Sequence, residues 1–310
     1  MPRLSHTILP PAMLLTLALF FHASPCHARE VNGKTFEAPG ATIYYEVYGS
    51  GAGTPLMVVN GGPGFDHTYL LLSPAWDALA KNRRVIMYDQ RGTGRSTGDH
   101  KNQTFTLKDQ LDDLEALRAH LGLERMDLLG HSWGGYLVMA YAAVHPHRIT
   151  HLFIVDSAAP DWKTTIFLFK EVFPQTEERR DAFAFAEEMG DKDAIDKRIH
   201  EYLTMLFYSP EKRDAFVAAL PASVFRKAVN EAVGADVARF DLKPEIAKFK
   251  FPVLVMTGRF DINVAPLVAY RIHQAIPGSK FLVFERSGHL PFYEEPDAFV
   301  QAVEEFLAGK

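Results

Sequence analysis

Apolar and polar positions divide the chain into short strand-like runs alternating with helical ones. Thr42 to Val47 alternates with a period of two, Gly49 to Gly53 makes a turn, and Pro55 to Val59 is a second strand. Pro74 to Lys81 reads as a short helix and Val85 to Tyr88 as a strand. Thr106 to Leu121 is a helix with Leu107, Leu111, Leu114, Leu117 and Leu121 on one face, and its acidic start and Arg118 near its end suit the helix dipole. Met126 to Leu129 is apolar like a buried strand, and Tyr136 to Val144 is apolar enough for a core-facing helix. Ile149 to Val155 is another strand, with Asp156 at its C-terminal end. This repetition predicts an α/β fold: a mostly parallel central sheet with helices on both faces.

The alternation stops at about Ala158. Up to about Arg239 the pattern is helical, over Ile166 to Phe173, Glu178 to Met189, Ala194 to Tyr208, Lys212 to Ala219 and Ala222 to Val233. The segment is rich in phenylalanine and predicts a helical cap inserted over the C-terminal edge of the sheet. An aromatic stripe packs a core more often than it walls a pocket, so no single phenylalanine is assigned a binding role. Sheet-like sequence resumes at Phe251 to Gly258, followed by a helix from Pro266 to Ile276, a strand from Lys280 to Phe284 and an amphipathic helix from Pro296 to Leu307. The expected organisation is a core of residues 29–157 and 241–310 and a cap of residues 158–240.

Residues 1–28 differ in kind. Arg3 is their one formally charged residue, Met13 to Phe21 is apolar, and Cys26-His27-Ala28 places small residues at the −3 and −1 positions. This predicts a signal peptide cleaved after Ala28 and an exported protein, periplasmic or secreted. The apolar run is far shorter than the ~20 residues of a membrane span, so no membrane association is expected of the mature chain. A lipid anchor through Cys26 fits less well, because Pro25 stands where such sites prefer a small residue. Cys26 is the only cysteine of the 310 residues. Its removal excludes disulfides, thiol nucleophiles and cysteine metal sites. A net charge of −5 argues against a nucleic-acid partner, which would call for a basic face.

The candidate chemistry gathers at predicted strand ends. Gly130, Ser132 and Gly134 form G-x-S-x-G between a buried strand and a helix, the setting of a nucleophile elbow, where a β-carbon on either glycine would clash. A serine hydroxyl needs an adjacent base. His289, in the loop after the last strand, lies on the same sheet edge; His131 is next in sequence but points elsewhere from a sharp turn, and His145 and His147 follow the elbow helix. Asp261 is the expected orienting carboxylate, with Asp156 as its rival, since both follow strands. Asn60-Gly61-Gly62-Pro63-Gly64 forms a loop that admits close backbone approach. Pro63 has no N–H, Gly62 is expected in the extended geometry of a residue before proline, and Gly62 N–H is expected to pair with Trp133 N–H as the oxyanion hole. Asp89 to Ser96 reads as a structural loop whose arginines and Asp89 fix it to its neighbours. Acyl transfer through such a site requires no metal or organic cofactor.

Together these residues resemble the α/β-hydrolases, and within them the proline iminopeptidase group of serine peptidases. The resemblance rests on Gly61-Gly62-Pro63-Gly64, Asp89 to Ser96, Gly130 to Gly135, Gly258-Arg259-Phe260-Asp261 and Ser287-Gly288-His289, and it covers nearly all of the mature chain. It implies the α/β-hydrolase fold, a triad in the order Ser132, Asp261, His289, and a short-peptide or other small-molecule substrate. The group's usual histidine ahead of the glycine-rich loop is Asn60 here. The group also implies a cap carboxylate for the substrate's ammonium; Glu171, Glu187, Glu188, Glu201 and Glu231 are available, and none is singled out by the sequence. Esters, lactones and amides are the alternative substrates for the same machinery.

Overall fold

The computed structural model describes residues 33–98, 105–191, 193–221 and 225–310. The expected signal peptide, residues 1–28, lies outside them. Eight strands form one sheet: β1 (Lys34–Ala38), β2 (Ala41–Tyr48), β3 (Gly53–Val59), β4 (Arg83–Tyr88), β5 (Met126–His131), β6 (Ile149–Val155), β7 (Val253–Gly258) and β8 (Lys280–Phe284), in the order β1-β2-β4-β3-β5-β6-β7-β8. β1 and β2 run antiparallel to their neighbours and every other pairing is parallel. The central strands are apolar at nearly every position because both faces are covered, as parallel strands must be. Leu128 and Leu129 on β5 belong to different cores, one on each face.

The helices outside the cap are α1 (Ala75–Ala80), α2 (Leu107–His120) and α3 (Trp133–Val144) before it, and α9 (Lys243–Ile246), α10 (Pro266–Ala275), α11 (Pro291–Glu294) and α12 (Pro296–Leu307) after it. On one face α2, α3 and α10 bury Leu114, Leu137 and Ile272; on the other α1 and α12 bury Trp76, Leu79, Phe299 and Val303. Thr106 caps α2 reciprocally: its hydroxyl accepts from Asp109 N–H and Asp109 accepts from Thr106 N–H. Between β6 and β7 the chain forms α4 (Phe169–Val172), α5 (Pro174–Glu188), α6 (Ala194–Thr204), α7 (Pro210–Ala219) and α8 (Lys227–Val237). The helix expected over Ala222 to Val233 falls partly outside the described residues, and α8 begins later than expected. No described helix is long and apolar enough to cross a membrane.

The loop after β4 is held by charge. Arg91 forms a forked pair with the buried Asp113 at 2.6 and 2.8 Å, and Arg95 bonds Tyr44 and Glu46. Asp89 accepts from Arg95 N–H at 2.7 Å and from His67 Nδ1 at 2.6 Å. His67 is fully buried, with Nε2 3.6 Å from Glu46. Burial alone would lower its pKa; the hydrogen bond to Asp89 and the nearby carboxylates of Asp89 and Glu46 outweigh that and raise it from 6.5 to about 9. A raised value in the folded state means the stabilisation is complete below about pH 6.5 and is lost as pH climbs through about 9. The difference in urea midpoint between the native protein and His67→Gln should therefore narrow between about pH 6 and about pH 10. A difference that stays constant across that range would contradict a charged His67.

Candidate active site

The C-terminal ends of the parallel strands bring the expected residues to one edge: Ser132 after β5, Asp156 after β6, Asp261 after β7 and His289 after β8. Ser132 has φ 58° and ψ −120°, a backbone held by Ser132 N–H donating to Val155 O at 2.9 Å. The flanking glycines are required by close approach. A β-carbon on Gly130 would stand 2.2 Å from Gly134 O, and one on Gly134 would stand 2.3 Å from Val59 O. Those contacts let β5, β3 and α3 meet tightly enough to present the serine at the strand end.

His289 Nδ1 lies 2.8 Å from Asp261 Oδ2, and both residues are buried. Asp261 Oδ1 accepts from Asn263 N–H and Val264 N–H, each at 2.9 Å. Asp156, at φ 46°, accepts from Gly258 N–H at 2.9 Å, and its side chain faces the Thr257 hydroxyl and the Asp261 carboxyl. Burial drives both carboxyl pKa values up, and their mutual proximity leaves the pair holding one proton. We place it on Asp156, which has one N–H donor where Asp261 has three. Asp261 is then the anion that fixes a proton on His289 Nδ1 and leaves Nε2 as the acceptor. Burial holds the His289 pKa down, to about 3.

His131 braces His289. Its Nε2 donates to His289 O at 2.8 Å, so its Nδ1 is the acceptor for the Tyr69 hydroxyl at 2.6 Å. Burial and the adjacent His289 hold its pKa well below the ordinary value. The ring is a neutral brace. His131, Asp156 and His289 bring ligand atoms within 4.8 Å of one another, the one such group among the described residues. Both ring nitrogens of each histidine are engaged by protein groups, which suits proton handling better than ion binding.

One expectation about the hydrogen-bond pattern is not met. His289 Nε2 accepts from Asn263 Nδ2 at 2.8 Å, and no hydrogen bond joins it to Ser132 Oγ, although Ser132 and His289 border one small apolar cavity. The glycine-rich loop also departs from expectation. Gly62 has φ 137° instead of the extended geometry usual before proline, a conformation open to it because it lacks the β-carbon, which there would lie 2.8 Å from Gly64 N. Gly61 N–H donates to Tyr69 Oη at 2.6 Å, and Asn60 pins the loop by donating to Gly61 O and Phe65 O. Gly62 faces the same cavity as Ser132 and Trp133, and Trp133 N–H opens α3, where no intrahelical acceptor exists. Sequence reasoning missed Gln90, which donates to Asn60 O at 2.8 Å and accepts from Trp133 Nε1 at 2.8 Å. It ties the Asn60 end of the glycine-rich loop to the indole of Trp133.

A cavity of about 460 Å³ opens between Ser132 and the cap. Trp162, Phe167, Phe169 and Phe225 supply aromatic walls, and Glu177, Arg180 and Arg198 its charges. None of the five glutamates available in the sequence lines it. Glu187 is bound by Lys227 and Arg198, Glu201 by Arg179, Glu231 stands near Lys227 and is exposed, and Glu171 and Glu188 are exposed. The cavity carboxylate is Glu177, bonded to Arg180, whose guanidinium lies over Phe169 and Tyr202 at 5.4 and 5.2 Å. The helix expected from Glu178 in fact starts at Pro174, which puts Glu177 in its first turn.

A family model described as the alpha/beta hydrolase fold matches residues 54–296. The chain belongs to the α/β-hydrolase family. This hydrolase is 33% identical over 280 residues to the proline iminopeptidase of Clostridium botulinum, covering 85% of this chain and 94% of that one. It is 31% identical over 284 residues to the proline iminopeptidase of Saccharolobus solfataricus, covering 86% and 89%. Among solved structures, a thermophilic esterase from Thermogutta terrifontis superimposes with a TM-score of 0.68 at 28% identity, over 89% of the hydrolase and 96% of the esterase.

Proposed function

We propose that the hydrolase is a serine aminopeptidase that releases N-terminal residues, preferably proline, from short peptides. Ser132 Oγ attacks the scissile carbonyl and its proton passes to His289 Nε2, while Asp261 holds Nδ1–H and offsets the imidazolium charge. Gly62 N–H and Trp133 N–H receive the developing oxyanion. The intermediate collapses to an acyl-enzyme, the amine leaves with the proton from His289, and water repeats the sequence to free the amino acid. The observation that carries the substrate reading is a single cavity holding Ser132, a set of aromatic rings suited to a proline ring, and the carboxylate of Glu177 for the substrate's ammonium. The likeness to proline iminopeptidases over nearly their full length supports it.

A second reading has its own observation. The cavity carries Arg180 and Arg198 against the one carboxylate, and Arg180 Nε has no hydrogen-bond partner. This favours a small ester, lactone or amide bearing an acceptor group, and the esterase likeness agrees with it. A panel of aminoacyl-nitroanilides beside short acyl esters separates the two. The first reading predicts turnover of the prolyl substrate and, in Glu177→Gln, a KM raised about 10- to 100-fold at similar kcat, the loss of one charge-assisted contact. Ester turnover with no aminoacyl substrate cleaved would transfer the assignment to the second.

A further inference from the structure

One short turn grips both nitrogens of the catalytic imidazole. Asp261 takes Nδ1, and Asn263, two residues on, donates from Nδ2 to Nε2 at 2.8 Å. Because Nδ1 carries the proton toward Asp261, Nε2 is an acceptor and the group facing it must be the amide NH₂. Asn263 is positioned by its own N–H on Asp261 Oδ1 and is buried, yet its side chain borders the 460 Å³ cavity and reaches the hydroxyl of Tyr202 on α6. The lone pair it occupies is the one that Ser132 Oγ–H requires.

We infer that Asn263 is a substrate-released clamp on the base: it caps His289 Nε2 in the resting hydrolase and turns into the cavity when a substrate acceptor takes its N–H. The inference rests on the acyl-transfer roles proposed for Ser132 and His289 and is independent of the substrate class. Two consequences follow from hydrogen-bond chemistry. A donor on Nε2 stabilises the neutral imidazole, so the clamp lowers the basicity of His289. Ser132 is also kept from deprotonation until the cavity fills, which links activation of the nucleophile to binding. The other titratable groups around the ring are Asp261 after β7, Asp156 after β6, His131 after β5 and Tyr202 on α6, with Glu294 on α11 acting on Asp261. Changing the Asn263 side chain removes its contact with the Tyr202 hydroxyl and leaves the backbone N–H on Asp261 in place.

The test is the pH dependence of inactivation by a small alkyl fluorophosphonate, which needs no peptide recognition and cannot offer the contacts that release the clamp. In Asn263→Ala the midpoint of the acid limb should rise by about one pH unit, the worth of one hydrogen bond, and the plateau rate should increase several-fold. Asn263→Asp should do the opposite near neutral pH: its carboxylate holds Nε2 protonated, and inactivation slows more than about tenfold. Asn263→Ser, smaller but polar, gives a second reading of the same limb if the alanine variant melts early. An acid limb and plateau rate unchanged in Asn263→Ala and Asn263→Ser would overturn the clamp. Absence of labelling in the native protein and in Asn263→Ala and Asn263→Ser alike would overturn the acyl-transfer reading, and the clamp with it.

Discussion

Replacing Ser132 by alanine should lower kcat by about five to six orders of magnitude on any substrate the hydrolase turns over, and His289→Ala should match it. The two effects should not add, because the nucleophile and its base act as one unit. The fold should survive the first change. Ser132 is held by backbone bonds, its N–H on Val155 O and its carbonyl accepting from Gly135 N–H, and alanine retains both. Far-UV circular dichroism and the thermal midpoint of Ser132→Ala should stay close to the native values while turnover vanishes. A variant that keeps more than about a hundredth of native kcat would remove Ser132 from the mechanism.

The second large effect separates the two buried carboxyls. Asp261→Asn should lower kcat/KM by about 10⁴-fold. Oδ1 of the new amide would still accept from Asn263 N–H and Val264 N–H, so its NH₂ would face His289 Nδ1. That forces the proton onto Nε2, the wrong tautomer for taking a proton from serine. Asp156→Asn should cost less than about tenfold, because Asp156 already carries the shared proton and an amide reproduces it: one oxygen for Gly258 N–H, one donor for Asp261. The reverse ranking of kcat/KM in the two purified variants would give the orienting role to Asp156.

The central strands were legible because burial on both faces removes the ambiguity of period, and the sheet edge that gathers Ser132, Asp261 and His289 followed once each could be placed just past a strand end. β1 was not legible: Lys34–Ala38 is an edge strand with only Phe36 and Ala38 buried, too few positions to establish alternation. The cap was read as helical, but its pocket was not. The start of α5 at Pro174 decides that Glu177 faces the cavity, and a shift of four residues in a helix start hides that placement. Gln90 and Asn263 escaped for another reason. Each acts through hydrogen bonds to residues 26 or more positions away, Gln90 with Asn60 and Trp133 and Asn263 with His289, and no local pattern announces such bonds. Gly61 N–H is held by Tyr69, which leaves Gly62 N–H as the candidate donor, and the φ of 137° at Gly62 is not the extended geometry expected before proline. Proline limits the residue before it mainly through that residue's β-carbon, and glycine has none.

We propose Ser132 as the nucleophile of this hydrolase. Intact-mass and peptide-mapping measurements after treatment with a fluorophosphonate test it most directly. One adduct per chain, located on the peptide bearing Ser132 and absent from Ser132→Ala and His289→Ala, is the predicted result. An adduct on another residue, or labelling that persists in Ser132→Ala, would contradict it.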